Sequence, residues 1–245
     1  MRFIIIICVL FFATTSSAQT QFINAAKVEY ERRVNQHSQL DQEGDNQWIQ
    51  EYKKQIPKSV ADIYVLKFNA EKSVYKLAKE NTDVKYLWGS KPSENDIIVK
   101  DFKTNTISLQ RDVFENTYLL KDSLKQLNWK ITDETRTIAG FECKKAITKI
   151  HDSVYVVAFY TDQIITSSGP ESFTGLPGLI LGVAIPRLYT TWFATKVELI
   201  EPTPTELAPI QKGKKATWKT LMVDLNKGVK DWGKEGARFI WLFSL

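Results

Sequence analysis

Sulfur and imidazole are almost missing from this chain, whose 245 residues include two cysteines and two histidines. Cys8 falls inside an apolar run at residues 3–13, so Cys143 stands alone in the remainder. With no second thiol to pair, that part has no intramolecular disulfide and must be stabilised by a core. A lone cysteine on a strand reads as a small buried side chain, and of its neighbours Lys144 and Lys145, alternation sends only one to the face opposite it. His37 lies in a polar stretch and His151 at a hairpin tip, with no ligand spacing between them and Cys143. No metal and no cofactor are expected.

Signatures of catalysis are missing as well. The chain has no Gly-x-Ser-x-Gly, no P-loop, no dinucleotide fingerprint and no His-Glu-x-x-His. Ser167-Ser168-Gly169 is a serine-rich turn with no histidine placed to serve it. Asp133 and Glu134 are adjacent, so on a strand they would face opposite ways; carboxylates distant in sequence could still meet in the fold. The expectation is a non-enzyme without catalytic residues. The N-terminal apolar run follows Arg2 and precedes Ser16-Ser17-Ala18, which is the pattern of a secretory signal and too short to span a bilayer comfortably. Residues 1–18 are therefore expected to be a cleaved signal peptide, with 19–245 forming a single β-rich domain and no transmembrane segment in the mature chain. The net charge of +5 falls to +4 without Arg2, too modest an excess to argue for nucleic acid.

What the chain does have is alternation. Residues 25–34, 61–69, 73–77, 96–102, 106–110, 116–120, 127–132, 142–150, 154–160 and 190–200 read as strands, with Asp, Asn, Gly and Lys turns between them. Residues 84–88 are a further short strand or an aromatic patch, 35–45 a loop, and 133–136 a turn. Such close spacing leaves no room for crossover helices, so an antiparallel meander follows. Trp48, Ile49 and Tyr52 are at helical spacing after Asp45 and Asn46, which predicts a short helix stopped by Pro57. After the proline-rich connector 201–209, Trp218, Leu221, Met222, Leu225, Val229 and Trp232 mark an amphipathic helix loosened near Gly228. Residues 238–245 read as a final strand or clamp. The segment 212–238 is locally +5, which suits a solvated outer face better than a partner- or membrane-facing one. The fold class is α+β, mostly β: a curved antiparallel meander sheet or partly open barrel, with one short helix in the N-terminal half and an amphipathic C-terminal helix.

Residues 164–185 break the pattern. Gly169-Pro170 and Leu176-Pro177-Gly178-Leu179 are turn signals around Phe173, and Pro177-Gly178 predicts a type II turn because proline fixes a negative φ and glycine supplies the positive one. From Tyr160 to Leu179 the connection is long for a compact domain, and loops of that length are commonly functional or mobile. Phe173, Leu176, Pro177, Gly178 and Leu179 are the candidate site: a lid, or the lining of an apolar ligand site. A structural plug is the reading favoured over a gate.

These residues resemble a known family. Gly169-Pro170, Phe173 and Gly175-Leu176-Pro177-Gly178-Leu179-Ile180-Leu181, preceded by Trp129, Ile138, Gly140-Phe141, Cys143, Lys145-Ala146, Tyr160-Thr161 and Ile164 or Ile165, look like the signature of the GLPGLI family over residues 129–181. The apolar, aromatic continuation at 182–194 departs from the charged strand of many members. The resemblance implies an exported protein of poorly defined function from a Gram-negative bacterium, in the periplasm or at the outer membrane, and often encoded beside TonB-dependent transporters. It brings no catalytic residues. The expected function is a non-catalytic periplasmic or cell-envelope accessory or binding protein, its partner an outer-membrane transporter or other envelope protein and its ligand an apolar small molecule or peptide. The alternatives are an interaction module docking through the basic C-terminal region and, last, an envelope hydrolase.

Overall fold

The structure, a computed structural model, describes residues 23–245 except 45, 88–90, 152 and 209–211. The expected signal peptide, and the contributions expected of Asp45, Trp88 and Asp152, lie outside the described residues. Among the described residues twelve strands form one sheet. They are β1 (Ala26–Asn35), β2 (Ser59–Phe68), β3 (Lys72–Lys79), β4 (Ile97–Asp101), β5 (Thr106–Val113), β6 (Asn116–Ser123), β7 (Lys130–Ile138), β8 (Phe141–Ile150), β9 (Val154–Thr161), β10 (Leu179–Ile185), β11 (Thr190–Glu198) and β12 (Lys214–Ala216). The helices are α1 (Gln36–Leu40), α2 (Gln47–Gln55), α3 (Trp218–Gly228) and α4 (Gly233–Phe243).

Strand order is β12-β6-β5-β4-β3-β2-β1-β11-β10-β9-β8-β7. Two meanders, β2 to β6 and β7 to β11, are joined by β1, which pairs antiparallel with both β2 and β11. Every neighbouring pair is antiparallel except β12 against β6. The sheet is open and strongly bent. Arg111 on β5 and Trp192 on β11 are five strands apart, about 24 Å in a flat sheet, yet both side chains reach the carboxylate of Glu171, at 3.1 and 3.2 Å. The main core fills the inside of that bend, lined by alternate residues such as Val28 and Tyr30 of β1, Leu66 and Phe68 of β2, and Leu109 of β5. A small second cluster, Val74, Val99, Leu119 and Leu207, lies apart from it.

This is the mostly β, partly open meander that the alternation implies, but several elements differ. Residues 133–136 continue β7 instead of turning, with a register irregularity between Ile131 and Thr135. β7 is an edge strand, where charges on both faces are tolerated and a bulge discourages further pairing. The turn falls at Ala139-Gly140, both at positive φ (49° and 86°), as a two-residue hairpin loop requires. Residues 35–45 begin with a helix because the Asn35 side chain caps it, accepting from Ser38 N at 3.0 Å. Residues 84–87 are in no strand. Their polar groups are taken by side chains instead, Leu87 N by Gln36 Oε1 and the Tyr86 hydroxyl by Asp62. The C-terminal 238–245 is largely helical: α4 lays Phe239 and Phe243 one turn apart, ring centroids 4.3 Å, with Phe239 against Phe114 and Trp232. The long stretch 164–185 divides as well. Residues 179–185 are β10, between β9 and β11 and buried on both faces apart from Ala184, which accounts for a continuous apolar run in place of alternation.

Candidate functional site

The segment before β10 is anchored at many points. Leu179 N donates to Ile164 O at 3.1 Å and Ile180 N to Ser168 O at 2.8 Å, while Trp129 Nε1 donates to Thr174 O at 2.9 Å. Gly178 sits at φ 152° with its N–H on Leu176 O, 2.9 Å, so the bend differs from a type II turn. The cause is close approach to β9: a Cβ at Gly178 would stand 2.0 Å from Thr161 O. Phe173, Leu176 and Leu179 are buried within the main core.

Beneath this segment the inner face of the sheet carries charge. In β1, Arg32 follows Ala26, Val28 and Tyr30 in the inward row; in β2, Asp62 precedes Tyr64 and Leu66; in β4, Lys100 follows Ile98; in β5, Arg111 follows Ile107 and Leu109. All four are buried. Arg32 lies across from Asp62 in the ladder, with Nη1 3.5 Å from Oδ2, and Asp62 Oδ1 also accepts from Asn81 N at 3.2 Å. Lys100 Nζ donates to Gly169 O at 2.7 Å and Phe173 O at 2.8 Å, holding the segment down; burial pulls its pKa down to about 7, although Glu171 opposes this. Ser73 and Ser168 share a 2.9 Å hydrogen bond beside it.

From the segment comes Glu171, whose backbone is left-handed at φ 49°, an uncommon and costly conformation for a glutamate. It brings the carboxylate between Arg111 Nη2 and Trp192 Nε1. Arg111 also donates from Nη1 to Phe243 O at 3.0 Å, tying α4 to the same cluster. Its Nε lies 3.4 Å from Asp96 Oδ2, within ion-pair range but outside hydrogen-bond geometry, so Nε has no hydrogen-bond partner among the described residues. Burial pushes the Asp96 carboxyl up to about 6, against the pull of Arg111 and the hydrogen bond from Asp112 N. Buried Tyr30, Tyr64 and Tyr75, whose phenols burial raises, complete the row; Tyr64 and Tyr75 stack at 5.1 Å.

A cleft of about 150 Å³ opens onto this cluster, lined by Arg32, Tyr64, Asp96, Arg111, Glu171 and Trp192 together with the 91–93 segment and the C-terminal end from Leu242. Of the expected site residues, Phe173, Leu176, Pro177, Gly178 and Leu179 do not line it. They secure the segment that delivers Glu171. The cleft's own residues escaped sequence reasoning, yet two of them had a signal: Arg32 and Arg111, like Asp62 paired with Arg32, each put a charge where strand alternation demands an inward residue. Chemically the arrangement offers fixed donors and acceptors. Among the described residues no group of three or more His, Cys, Asp or Glu is disposed to hold a metal ion, and none of their helices is long and apolar enough to cross a membrane.

Fold and site together define a mostly β protein whose open antiparallel sheet wraps a buried ionic cluster. A sequence profile for a family described as "Protein of unknown function (Porph_ging)" matches residues 147–182, which run from the end of β8 through Glu171 into β10. No curated protein matches the chain. Among solved structures it is similar to PNGF-II in two crystal forms. The C2 form is 17% identical with a TM-score of 0.53, covering 82% of this chain and 32% of that one. The P21 form is 18% identical with a TM-score of 0.52, covering 82% and 33%. The chain thus spans about a third of the length of PNGF-II, and at such identity the likeness is one of fold.

Proposed function

We propose that this protein is a non-catalytic binding or accessory protein of the bacterial cell envelope, exported to the periplasm or the outer-membrane surface, and that the charged cleft is its binding site. One observation carries this reading: three buried ions, Arg32, Arg111 and a strained Glu171, line an open cleft. Burying four charged side chains of the sheet costs more than an apolar core would, and a binding site is the reason we assign to that cost. Because the Phe173, Leu176 and Leu179 side chains are packed into the core, a polar occupant is favoured over an apolar one. The Gly175 to Leu181 run supports membership of the GLPGLI family and, through it, work beside a TonB-dependent transporter. Native mass spectrometry of the protein taken from its own envelope tests the reading, which predicts a retained small molecule that the Glu171→Gln variant loses. A bare protein, or turnover of the retained molecule, would refute it.

A second reading is docking on an envelope partner through the basic C-terminal region. It is favoured by Lys214, Lys215, Lys219 and Lys227, all exposed, and by an exposed Val223 on α3. Recovery of a transporter by pull-down at low salt and its loss at high salt would support it.

A further inference from the structure

We infer that a hollow lined by the end of β6 and by α3 is a second binding site, separate from the charged cleft, whose ligand is a small carboxylate with an apolar body. Lys125 takes the carboxylate, and the body lies on Trp218 and Met222.

The hollow measures about 340 Å³ and shares no lining residue with the cleft. That volume falls at the lower end of the roughly 300–1,000 Å³ of small-molecule pockets. Its apolar wall comes from α3, where Trp218 and Met222 stand one turn apart and so share a face. Both are half-buried, packed against the main core on one side and lining the hollow on the other. Methionine adapts to ligands of irregular outline.

Most polar groups of the hollow are committed. Ser244 Oγ lies 2.5 Å from His151 Nε2 and donates to Trp241 O at 2.9 Å. A carbonyl can only accept, so the hydroxyl gives its proton there and takes one from the imidazole. The two do not form a nucleophile and base, and the site binds rather than reacts. Asp122 Oδ1 accepts from Ser123 N at 2.7 Å. Lys125 Nζ donates to Ser244 O at 3.3 Å and lies 4.0 Å from the centre of the Trp218 ring. An ammonium has three donors; the carbonyl and the indole face occupy two, and no carboxylate hydrogen-bonds to the third among the described residues. Lys125 is exposed, so a ligand can reach it.

The surrounding charges select the sign. Although Lys125 is exposed as a residue, its ammonium is drawn in against the indole. That partial burial and Arg111 bring its pKa down to about 8, and Asp122 opposes them less strongly than Arg111 acts. The ammonium therefore stays charged at neutral pH, in a field that favours an anion over a second cation. Lys219 and Lys227 of α3, both exposed, add to that field, while Asp224 of the same helix is held by the Tyr118 hydroxyl at 3.3 Å. One open cation facing Asp122 suits a monoanion better than a phosphate dianion.

Calorimetric titration of the purified protein at neutral pH tests this with sodium phenylacetate and sodium hexanoate against sodium acetate, benzyl alcohol, benzylammonium chloride and phenyl phosphate. The expected result is saturable binding of an apolar carboxylate in preference to the other four, weakened about fivefold or more in Lys125→Gln and kept in Lys125→Arg. Ser123→Glu, which adds a carboxylate at an exposed position of the lining, should weaken binding likewise and carries the test if Lys125→Gln does not melt cooperatively. No binding of either apolar carboxylate, equal binding of acetate or the alcohol, preference for the amine or the phosphate, or affinity unchanged in the variants overturns the inference.

Discussion

Lys100 is the sharpest place to test the energetics of the segment that carries Glu171. Its ammonium donates to two backbone carbonyls, Gly169 O and Phe173 O. Lys100→Met keeps most of the stem and removes both bonds, orphaning two acceptors at about 1–3 kcal/mol each. Against this, methionine relieves the desolvation that holds the native pKa near 7 in place of 10.5. Between those values the unfolded chain binds the proton and the native protein does not, so stability rises with pH across the window; it is lost again as pH falls to 7. The slope is about 1.4 kcal/mol per pH unit, hence ~3 kcal/mol between pH 7 and pH 9. The neutral amine still donates to both carbonyls there. Urea unfolding of both proteins from pH 6 to pH 9 should therefore show the variant less stable by about 4 kcal/mol at pH 9 and by about 1 kcal/mol at pH 6. Taking the difference removes the other titrating groups. Parallel stability curves would mean that Lys100 ionises normally, and no loss at pH 9 would mean that the segment does not depend on it.

Breaking the Arg111–Glu171 pair from one side, by Arg111→Met or Glu171→Gln, should cost about 3–5 kcal/mol in thermal or denaturant unfolding, with the double variant costing less than the sum. Asp96, raised from 3.8 to about 6, keeps its proton longer in the native state, so its contribution is full below pH 3.8 and lost as pH rises through 6; Asp96→Asn should flatten stability over that range, and carboxyl NMR titration should give the midpoint near 6. Gly178→Ala, whose Cβ would meet Thr161 O at 2.0 Å, should abolish cooperative unfolding or cost more than about 3 kcal/mol, whereas Gly140→Asn, at φ 86° with nothing within 4 Å, should cost about 1 kcal/mol or less. Cys143, buried and pushed up to about 12 by burial, should resist iodoacetamide in the native protein and react after unfolding; rapid native alkylation would contradict its placement in the core.

The strands were legible in the sequence wherever one face is wet, because alternation there is forced by burial of the other; β1, β2, β5, β8, β9 and β11 all belong to this group. Legibility failed where that contrast vanishes. β7 is exposed along nearly its whole length, so its charges imitate a turn, and β10 is buried on both faces, so its apolar run merges with the loop before it. The Phe239 to Phe243 run is ambiguous for another reason: five residues of apolar sequence fit a buried strand or a short helix equally, and the turn from Trp232 decides for the helix. The cleft was hidden differently, because the strand charges in it and around it were visible but looked like the polar half of an alternating strand. Only the phase tells them apart. Arg32 shares parity with Val28 and Tyr30, Arg111 with Ile107 and Leu109, and Asp62 with Tyr64 and Leu66, so these three charges stand on the apolar side of their own strands, whereas in β4 Ile97, Ile98 and Val99 make both sides apolar and leave the phase of Lys100 unreadable. A charge out of phase on one strand is a local irregularity, but three on β1, β2 and β5 of one bent sheet must converge on its interior. The Gly-Leu-Pro-Gly run then acquires a role without forming the site: by anchoring the backbone on either side, it sets the strained Glu171 against the cluster that the strands have already assembled.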